Sequence, residues 1–119
     1  MINKKLKAKY VSAAEAGDYF QVLFEEDRSR PKKYFLIQRG FEFEEVEPNG
    51  LYIESDDMRF CGHLKPSKIE FNRNRFYLQL AEEENDDLEI AFDIVDSDYL
   101  EVRRVIKIIL SGYDHVLMC

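Results

Sequence analysis

The sequence predicts an α+β domain, in which a mostly antiparallel β-sheet of about six to eight short strands carries one C-terminal helix packed on it. Short apolar runs recur between turn signals at intervals of about eight to twelve residues, which is typical of β-rich domains. The pattern changes to a helical period over residues 96–112. Hydrophobic residues make up 45% of the 119 residues, enough for a core. We therefore expect residues 1–119 to form a single α+β domain.

The first two predicted strands alternate between apolar and polar residues. In LKAKYVS (6–12), Leu6, Ala8 and Tyr10 alternate with lysines, so one face of the strand is expected to be exposed to solvent. In YFQVLFEE (19–26), Phe20, Val22 and Phe24 share one side. Both segments are therefore predicted to lie against a core with one face only.

The segment KYFLIQRG (33–40) is the least polar predicted strand, which favours a place in the middle of a sheet. The charged segment DRSRPKK (27–33) precedes it as a loop. EPNG (47–50) predicts a turn, because proline presets its own φ while asparagine and glycine tolerate positive φ. LYIES (51–55) then predicts another strand.

A hairpin and one further strand follow. SKIEFN (67–72) and RFYLQLAE (75–82) flank Arg73-Asn74, which is the outline of a tight β-hairpin. LEIAFDI (88–94) alternates cleanly, with its leucine, phenylalanine and isoleucines expected to face the core.

The segment 96–112 is predicted to be a helix. Asp98 and Glu101 have the spacing of a capping box, and Gly112 stands where a helix commonly ends. The high β-branched content leaves a strand as the competing interpretation. The residues that form the apolar stripe at helical spacing are Tyr99, Val102, Val105, Ile106 and Ile109.

The charge of the chain favours a protein partner. Seventeen basic and 24 acidic residues give a net charge of −7. Affinity for nucleic acid comes largely from Lys and Arg neutralising phosphates, so we expect no direct binding to nucleic acid. A basic partner protein is favoured instead.

The sequence also predicts a cytoplasmic location. It shows no run of about 20 apolar residues to span a membrane, and no apolar block follows the N-terminal lysines as in a secretory signal. Two cysteines do not make a disulfide framework, so both are expected to stay thiols in a reducing compartment.

Four residues together suggest a metal site. Cys61 and His63 are two apart, as residues on one strand face are, and His115 and Cys119 are four apart, as residues on one helix face are. Zinc accepts a Cys2His2 set, but the usual pairs are Cys with Cys and His with His. A small metal-stabilised structural or regulatory module is therefore kept as the alternative function, while our first expectation is no metal and no cofactor.

Cys61 is also the candidate nucleophile of a small enzyme, with His63 as its base. Such a pair needs hydrogen-bonding contact. On a strand the two Cα atoms would lie about 6–7 Å apart, and the sequence contains no nucleophile elbow, phosphate loop or dinucleotide motif. We therefore expect no catalytic residues.

An acidic stretch is the candidate for partner binding. Its carboxylates have neither EF-hand spacing nor an obvious catalytic arrangement. They are either a solvated surface or a patch that faces a basic protein. The residues of this stretch that we single out are Glu42, Glu44, Glu45, Glu47, Tyr52, Glu54, Asp56 and Asp57.

Gln38 and Arg39 end an apolar strand and are candidates for a structural polar network. In that network Arg39 would pair with a carboxylate. The alternative is a strand end that reaches water.

The order of segments resembles the Immunity protein 10 family of bacterial polymorphic toxin systems. The resemblance spans roughly residues 34–110 and rests on YFLIQRG (34–40), GLYIES (50–55), FCGHL (60–64), the strand pair 68–80 and 88–94, and the final helix. The family tends to show an aromatic residue followed by two glycines in the middle element, where this sequence has Phe60-Cys61-Gly62-His63.

The resemblance implies a cytoplasmic antidote that binds a cognate toxin and blocks it by occlusion without catalysis. An acidic face suits a basic toxin such as a nuclease, and the stretch 42–57 with Tyr52 is the expected binding surface. The identity of the toxin, the strand order and the oligomeric state, including a homodimer, are left open by the sequence.

Overall fold

Nine strands and one α-helix form the part of the chain that the computed structural model describes, residues 4–26, 33–40, 51–80, 86–112 and 117–118. The helix α1 spans Asp96–Ile109, and a short 3-10 helix, Met58–Phe60, follows the fifth strand. The predicted α+β class with a C-terminal helix is confirmed. The strands are β1 (Lys4–Ala8), β2 (Tyr10–Ala16), β3 (Tyr19–Glu25), β4 (Tyr34–Gly40), β5 (Leu51–Ser55), β6 (Pro66–Asn72), β7 (Arg75–Leu80), β8 (Asp87–Phe92) and β9 (Leu117–Met118).

The strands divide between two sheets, a division that the sequence pattern does not show. The four-stranded sheet has the order β2-β3-β4-β5 and is antiparallel throughout. The five-stranded sheet has the order β1-β8-β7-β6-β9, with parallel pairs at both ends. The prediction that 33–40 forms an interior strand is confirmed, because β4 lies between β3 and β5. The hairpin at Arg73-Asn74 is confirmed as well, since Asn72 pairs with Arg75.

The chain passes from one sheet to the other at Lys9, so the prediction of one strand over 6–12 is wrong. Ala8 is 5% exposed in β1, whereas Tyr10 is 38% exposed in β2, although both belong to the same alternation. At the junction the amide of Lys9 donates to the carbonyl of Glu25, over 2.9 Å. Tyrosine occurs at both buried and exposed positions, so the alternating pattern continues through Lys9 with no sign of the break between the two strands.

Phenylalanines from both sheets form the centre of the core. The ring centroid of Phe76 on β7 lies 5.4 Å from that of Phe24 on β3 and 5.5 Å from that of Phe35 on β4. Phe24 also lies 5.8 Å from Phe92 of β8. Rings at these distances gain from tilted aromatic contact in addition to about 1.5–3 kcal/mol for burial of each side chain. The inner faces of the two sheets therefore pack on each other.

The helix α1 covers the rest of the inner face of the four-stranded sheet, against β2, β3 and β4. Its buried stripe is Val102, Val105, Ile106 and Ile109, as the periodicity predicts. The expected capping box is wrong, because the N-cap is Val95 and makes no side-chain cap bond. Glu101 instead forms an i,i+3 ion pair with Arg104, at 2.7 Å. This pair uses the carboxylate that the capping box would need. Gly112 follows the helix with a φ of +87°.

Two predicted connections lie outside the described residues: the turn 47–50, and the loop 27–33 except for its last residue, Lys33. The alternation predicted for 88–94 holds along β8, where Leu88 and Ile90 are fully buried and Phe92 is 5% exposed. The sequence pattern gave no sign of β9, whose two residues pair in parallel with Ile69 and Glu70 of β6.

Candidate partner-binding surface

The predicted acidic stretch is only partly within the described residues. Tyr52 and Glu54 belong to β5, and Asp56 and Asp57 follow it directly. The remaining members of the stretch, Glu42, Glu44, Glu45 and Glu47, lie outside the described residues.

Asp57 is engaged within the molecule. One of its oxygens accepts from the backbone N–H of Arg59 at 3.0 Å, and the other accepts from Nη2 of the same residue at 2.7 Å. It thereby caps the 3-10 helix that follows β5. The hydrogen bonds from the Arg59 side chain lower the pKa of Asp57 to about 2. Its charge is therefore compensated by a neighbour, which makes it a structural residue in this arrangement.

Asp56 has a cation beside it as well. Its Oδ1 lies 2.9 Å from Nζ of Lys4 at the start of β1 and accepts the backbone N–H of Tyr34 at 3.2 Å. This ion pair links the two sheets at their edges, since β1 and β5, the strand that Asp56 follows, are edge strands of different sheets. Asp56 thus contributes to joining the sheets more than to the negative potential of the surface.

Glu54 is arranged differently, because two tyrosines and no described cation contact its carboxylate. The hydroxyl of Tyr34 donates to Oε2 at 2.9 Å, and that of Tyr52 donates to Oε1 at 3.1 Å. Burial, followed by the hydrogen bond to Glu54, raises the pKa of Tyr34 to about 12. The hydrogen bond to Glu54 also raises the pKa of Tyr52. None of the ion pairs between described residues includes Glu54.

Strand register places an apolar pair beside this carboxylate. Leu23 of β3 lies opposite Leu36 of β4, which lies opposite Glu54 of β5, so the three form one row on the solvent side of the sheet. The helix and the five-stranded sheet cover the other side. We call this solvent side, centred on Tyr34, Tyr52, Glu54, Leu23 and Leu36, the Tyr–Glu face.

Gln38 and Arg39 do not join one network, because neighbouring residues of a strand point to opposite sides of the sheet. Gln38 lies on the solvent side, where its side-chain amide and that of Gln21 both lie within hydrogen-bonding distance of the hydroxyl of Tyr19. Arg39 is 8% exposed on the inner side. Its Nη1 donates to the carbonyl oxygens of Ile109 and Ser111 at 2.8 and 2.6 Å. Arg39 therefore caps the C-terminal end of α1.

Cys61 and His63 each bond to the backbone of β5 or the turn after it. The thiol of Cys61 donates to the carbonyl oxygens of Ser55 and Asp57, at 3.3 and 3.5 Å. Nδ1 of His63 lies 2.9 Å from the carbonyl oxygen of Leu51, so this nitrogen carries the proton. His115 and Cys119 lie outside the described residues. Within the described part of the chain, no group of three or more His, Cys, Asp or Glu residues has the arrangement of a metal site.

Sequence reasoning missed Tyr34, Leu23 and Leu36 as surface residues. The available signal was the alternation within 33–40, where Tyr34, Leu36 and Gln38 share the side opposite to Phe35 and Ile37. Because the segment as a whole is so apolar, its solvent-facing side was not recognised. Among the described residues, no helix has the length and apolar character needed to cross a membrane.

In comparisons with known proteins, no protein-family model and no curated protein matches this chain.

Proposed function

We propose that this protein is a non-enzymatic, cytoplasmic immunity protein, which binds a basic cognate toxin and neutralises it by covering its active surface. The observation that carries the proposal is the Tyr–Glu face, where a carboxylate without a described cation is held between two tyrosines. Tyrosine is enriched at protein interfaces because it offers a large apolar area and a hydrogen-bonding group together. The proposal also agrees with the resemblance of the order of segments along the chain to the Immunity protein 10 family.

The net charge of −7 supports a basic partner. A toxin that acts on phosphate-bearing substrates needs a positive active site, and an acidic surface is attracted to that site at long range. Asp56 and Asp57 are compensated by Lys4 and Arg59, so they contribute less to this attraction than the sequence suggests. Glu54 is the described member of the acidic stretch that best fits direct recognition.

In this proposal the Tyr–Glu face is the centre of a larger interface, because by itself it is too small for one of standard size. Four strands about 4.8 Å apart and about seven residues long give a patch of roughly 450 Å². One partner contributes about 800 Å² to an interface of standard size. The remainder would come from neighbouring segments, and the sequence between β4 and β5 carries Glu42, Glu44, Glu45 and Glu47.

The test is co-expression with the toxin domain encoded beside the gene of this protein. We expect the wild-type chain to restore growth and to elute with the toxin domain as one complex. Unchanged toxicity together with the absence of a complex would refute the proposal.

Two variants locate the binding surface in the same assay. Glu54→Lys reverses the charge on the Tyr–Glu face and is expected to abolish protection. Asp93→Lys makes the same change in net charge at an exposed residue just after β8 of the five-stranded sheet, and protection should persist. Equal loss in both variants would indicate a general charge effect and would contradict the assignment to this face.

A further inference from the structure

The Tyr–Glu face contains a depression with an apolar floor and acidic walls. Leu23 and Leu36, which are adjacent across β3 and β4, lie at its centre. The depression is open to solvent and is lined by Gln21, Leu23, Glu25, Tyr34, Leu36 and Glu54. A ligand that fits it needs an apolar part to cover the leucines and a positive group to meet the carboxylate of Glu54.

The carboxylate of Glu54 is held in a fixed orientation. Each of its two oxygens accepts one tyrosine hydroxyl, at 2.9 Å from Tyr34 and 3.1 Å from Tyr52. An ionised carboxylate has about four acceptor positions, so both oxygens keep capacity for a further donor. Because the tyrosines already restrict the side chain, a ligand that binds it loses less conformational freedom on forming the complex.

We infer that this depression receives an arginine side chain of the partner protein. The guanidinium donates in bidentate fashion to the two oxygens of Glu54, while the aliphatic part of the arginine covers Leu23 and Leu36. The inference rests on the proposed function, since it specifies how the basic partner is recognised.

Arginine fits this geometry better than lysine or a free metal ion. Its planar fork presents two parallel N–H groups to a carboxylate whose oxygens are both fixed, whereas an ammonium group acts as a point charge. The rings of Tyr34 and Tyr52 flank the same carboxylate, and a guanidinium stacks on aromatic rings. A metal ion would leave the apolar floor of Leu23 and Leu36 uncovered.

The test uses N-acetyl-arginine amide as the probe, with N-acetyl-citrulline amide as the neutral probe of the same shape. NMR titration of the full chain follows the ring signals of Tyr34 and Tyr52 and the methyl signals of Leu23 and Leu36. We expect saturable shifts at these residues with the arginine probe and none with the citrulline probe. Equal responses to the two probes, or shifts confined to other surfaces, would overturn the inference.

Glu54→Gln supplies the matched variant, because glutamine keeps the shape of the side chain and removes its charge. Its dissociation constant for the arginine probe should rise about tenfold or more, given the loss of a charge-assisted bidentate contact. Asp93→Asn removes the same charge from an exposed site on the other sheet and should leave the constant unchanged within about twofold. A weakening that is equal in the two variants would also overturn the inference. The comparison of the two probes on the wild-type chain needs no variant and holds even if Glu54→Gln fails to fold.

The two proposals fail in different ways. If the wild-type chain does not protect against the toxin, the proposed function fails, whatever the probe shows. If the wild-type chain protects but Glu54→Gln protects equally well and the arginine probe does not bind, only the arginine site is refuted.

Discussion

Glu54 and its two tyrosines connect a local hydrogen-bond arrangement to the pH dependence of the molecule. Burial and the hydrogen bond to Glu54 raise the pKa of Tyr34 to about 12. In a tyrosinate titration followed by ultraviolet absorbance, the difference between the wild type and Tyr34→Phe should therefore titrate near pH 12. Glu54→Gln should lower this pKa but leave it above that of a free tyrosine, since burial is the larger cause. A difference titration near pH 10 in the wild type would contradict the arrangement.

The same shift fixes the sign of the effect on stability. The unfolded chain releases the Tyr34 proton near pH 10 and the folded chain near pH 12, so the neutral hydroxyl favours the folded state. This contribution to stability is complete below pH 10 and is lost as the pH rises to about 12. Urea unfolding over this range should show a smaller decline for Tyr34→Phe than for the wild type.

Arg39 gives a second prediction at the residue scale. Its guanidinium donates to the carbonyl oxygens of Ile109 and Ser111 at the end of α1, where a helix leaves carbonyls without partners. Arg39→Met keeps much of the alkyl packing but removes the donors, and it should lower the free energy of unfolding by about 2–3 kcal/mol. Lys107→Ala removes an exposed charge from the last turn of the same helix and should cost less than about 1 kcal/mol. Similar losses in denaturant titrations would show that the charge matters and the hydrogen bonds do not.

At the scale of elements, the sequence predicts what depends on near neighbours and misses what depends on distant ones. The strands β3, β4 and β8 and the helix α1 follow from periodicity, because each buries one side. The break at Lys9 is invisible in the sequence, because β1 pairs with β8, which is remote in the chain, whereas β2 pairs with its sequence neighbour β3. The failed capping box has a local cause instead, since Glu101 pairs with Arg104 on the same helix, at 2.7 Å.

The segment after the 3-10 helix joins β5 through Gly62, which provides a prediction at the element scale. Gly62 exchanges both backbone hydrogen bonds with Ile53, over 3.0 and 2.8 Å, and has a φ of +119°. Nothing lies within 4 Å of a Cβ added there, so Gly62→Ala meets backbone strain alone. We expect it to lower the free energy of unfolding by about 1–2 kcal/mol, measured with denaturant.

Gly40 is the control for that substitution. Its φ is not positive, and an added Cβ would lie 3.9 Å from Cδ2 of Tyr19, an ordinary contact. Gly40→Ala should therefore change the free energy of unfolding by less than about 0.5 kcal/mol. If both glycines tolerate alanine equally, the strained link between Gly62 and Ile53 does not hold in solution.

At the scale of the whole molecule, the candidate surface could be predicted from the sequence only in part. The net charge, and the placement of Tyr52 and Glu54 in the candidate surface, could be predicted, because composition and alternation are local properties. The compensation of Asp56 by Lys4 was not, since the two are 52 residues apart in the chain. Nor was the row of Leu23, Leu36 and Glu54, which exists only through the register of three strands. A site that is formed by strand register can be predicted only if the order of strands in the sheet is known, and hydrophobic alternation does not give that order.

The overall charge and the Tyr–Glu face should have separate effects on the kinetics of binding to the proposed basic toxin. Between about 0.01 M and 0.15 M salt the screening length falls from about 30 to 8 Å, so long-range attraction weakens while close contacts persist. In stopped-flow measurements the association rate should fall by about tenfold or more over this range, with little change in dissociation. Glu54→Gln should chiefly speed dissociation, because it removes a contact, whereas Asp93→Asn should slightly slow association, because it removes only charge. An association rate independent of salt would show that the acidic surface does not guide the encounter.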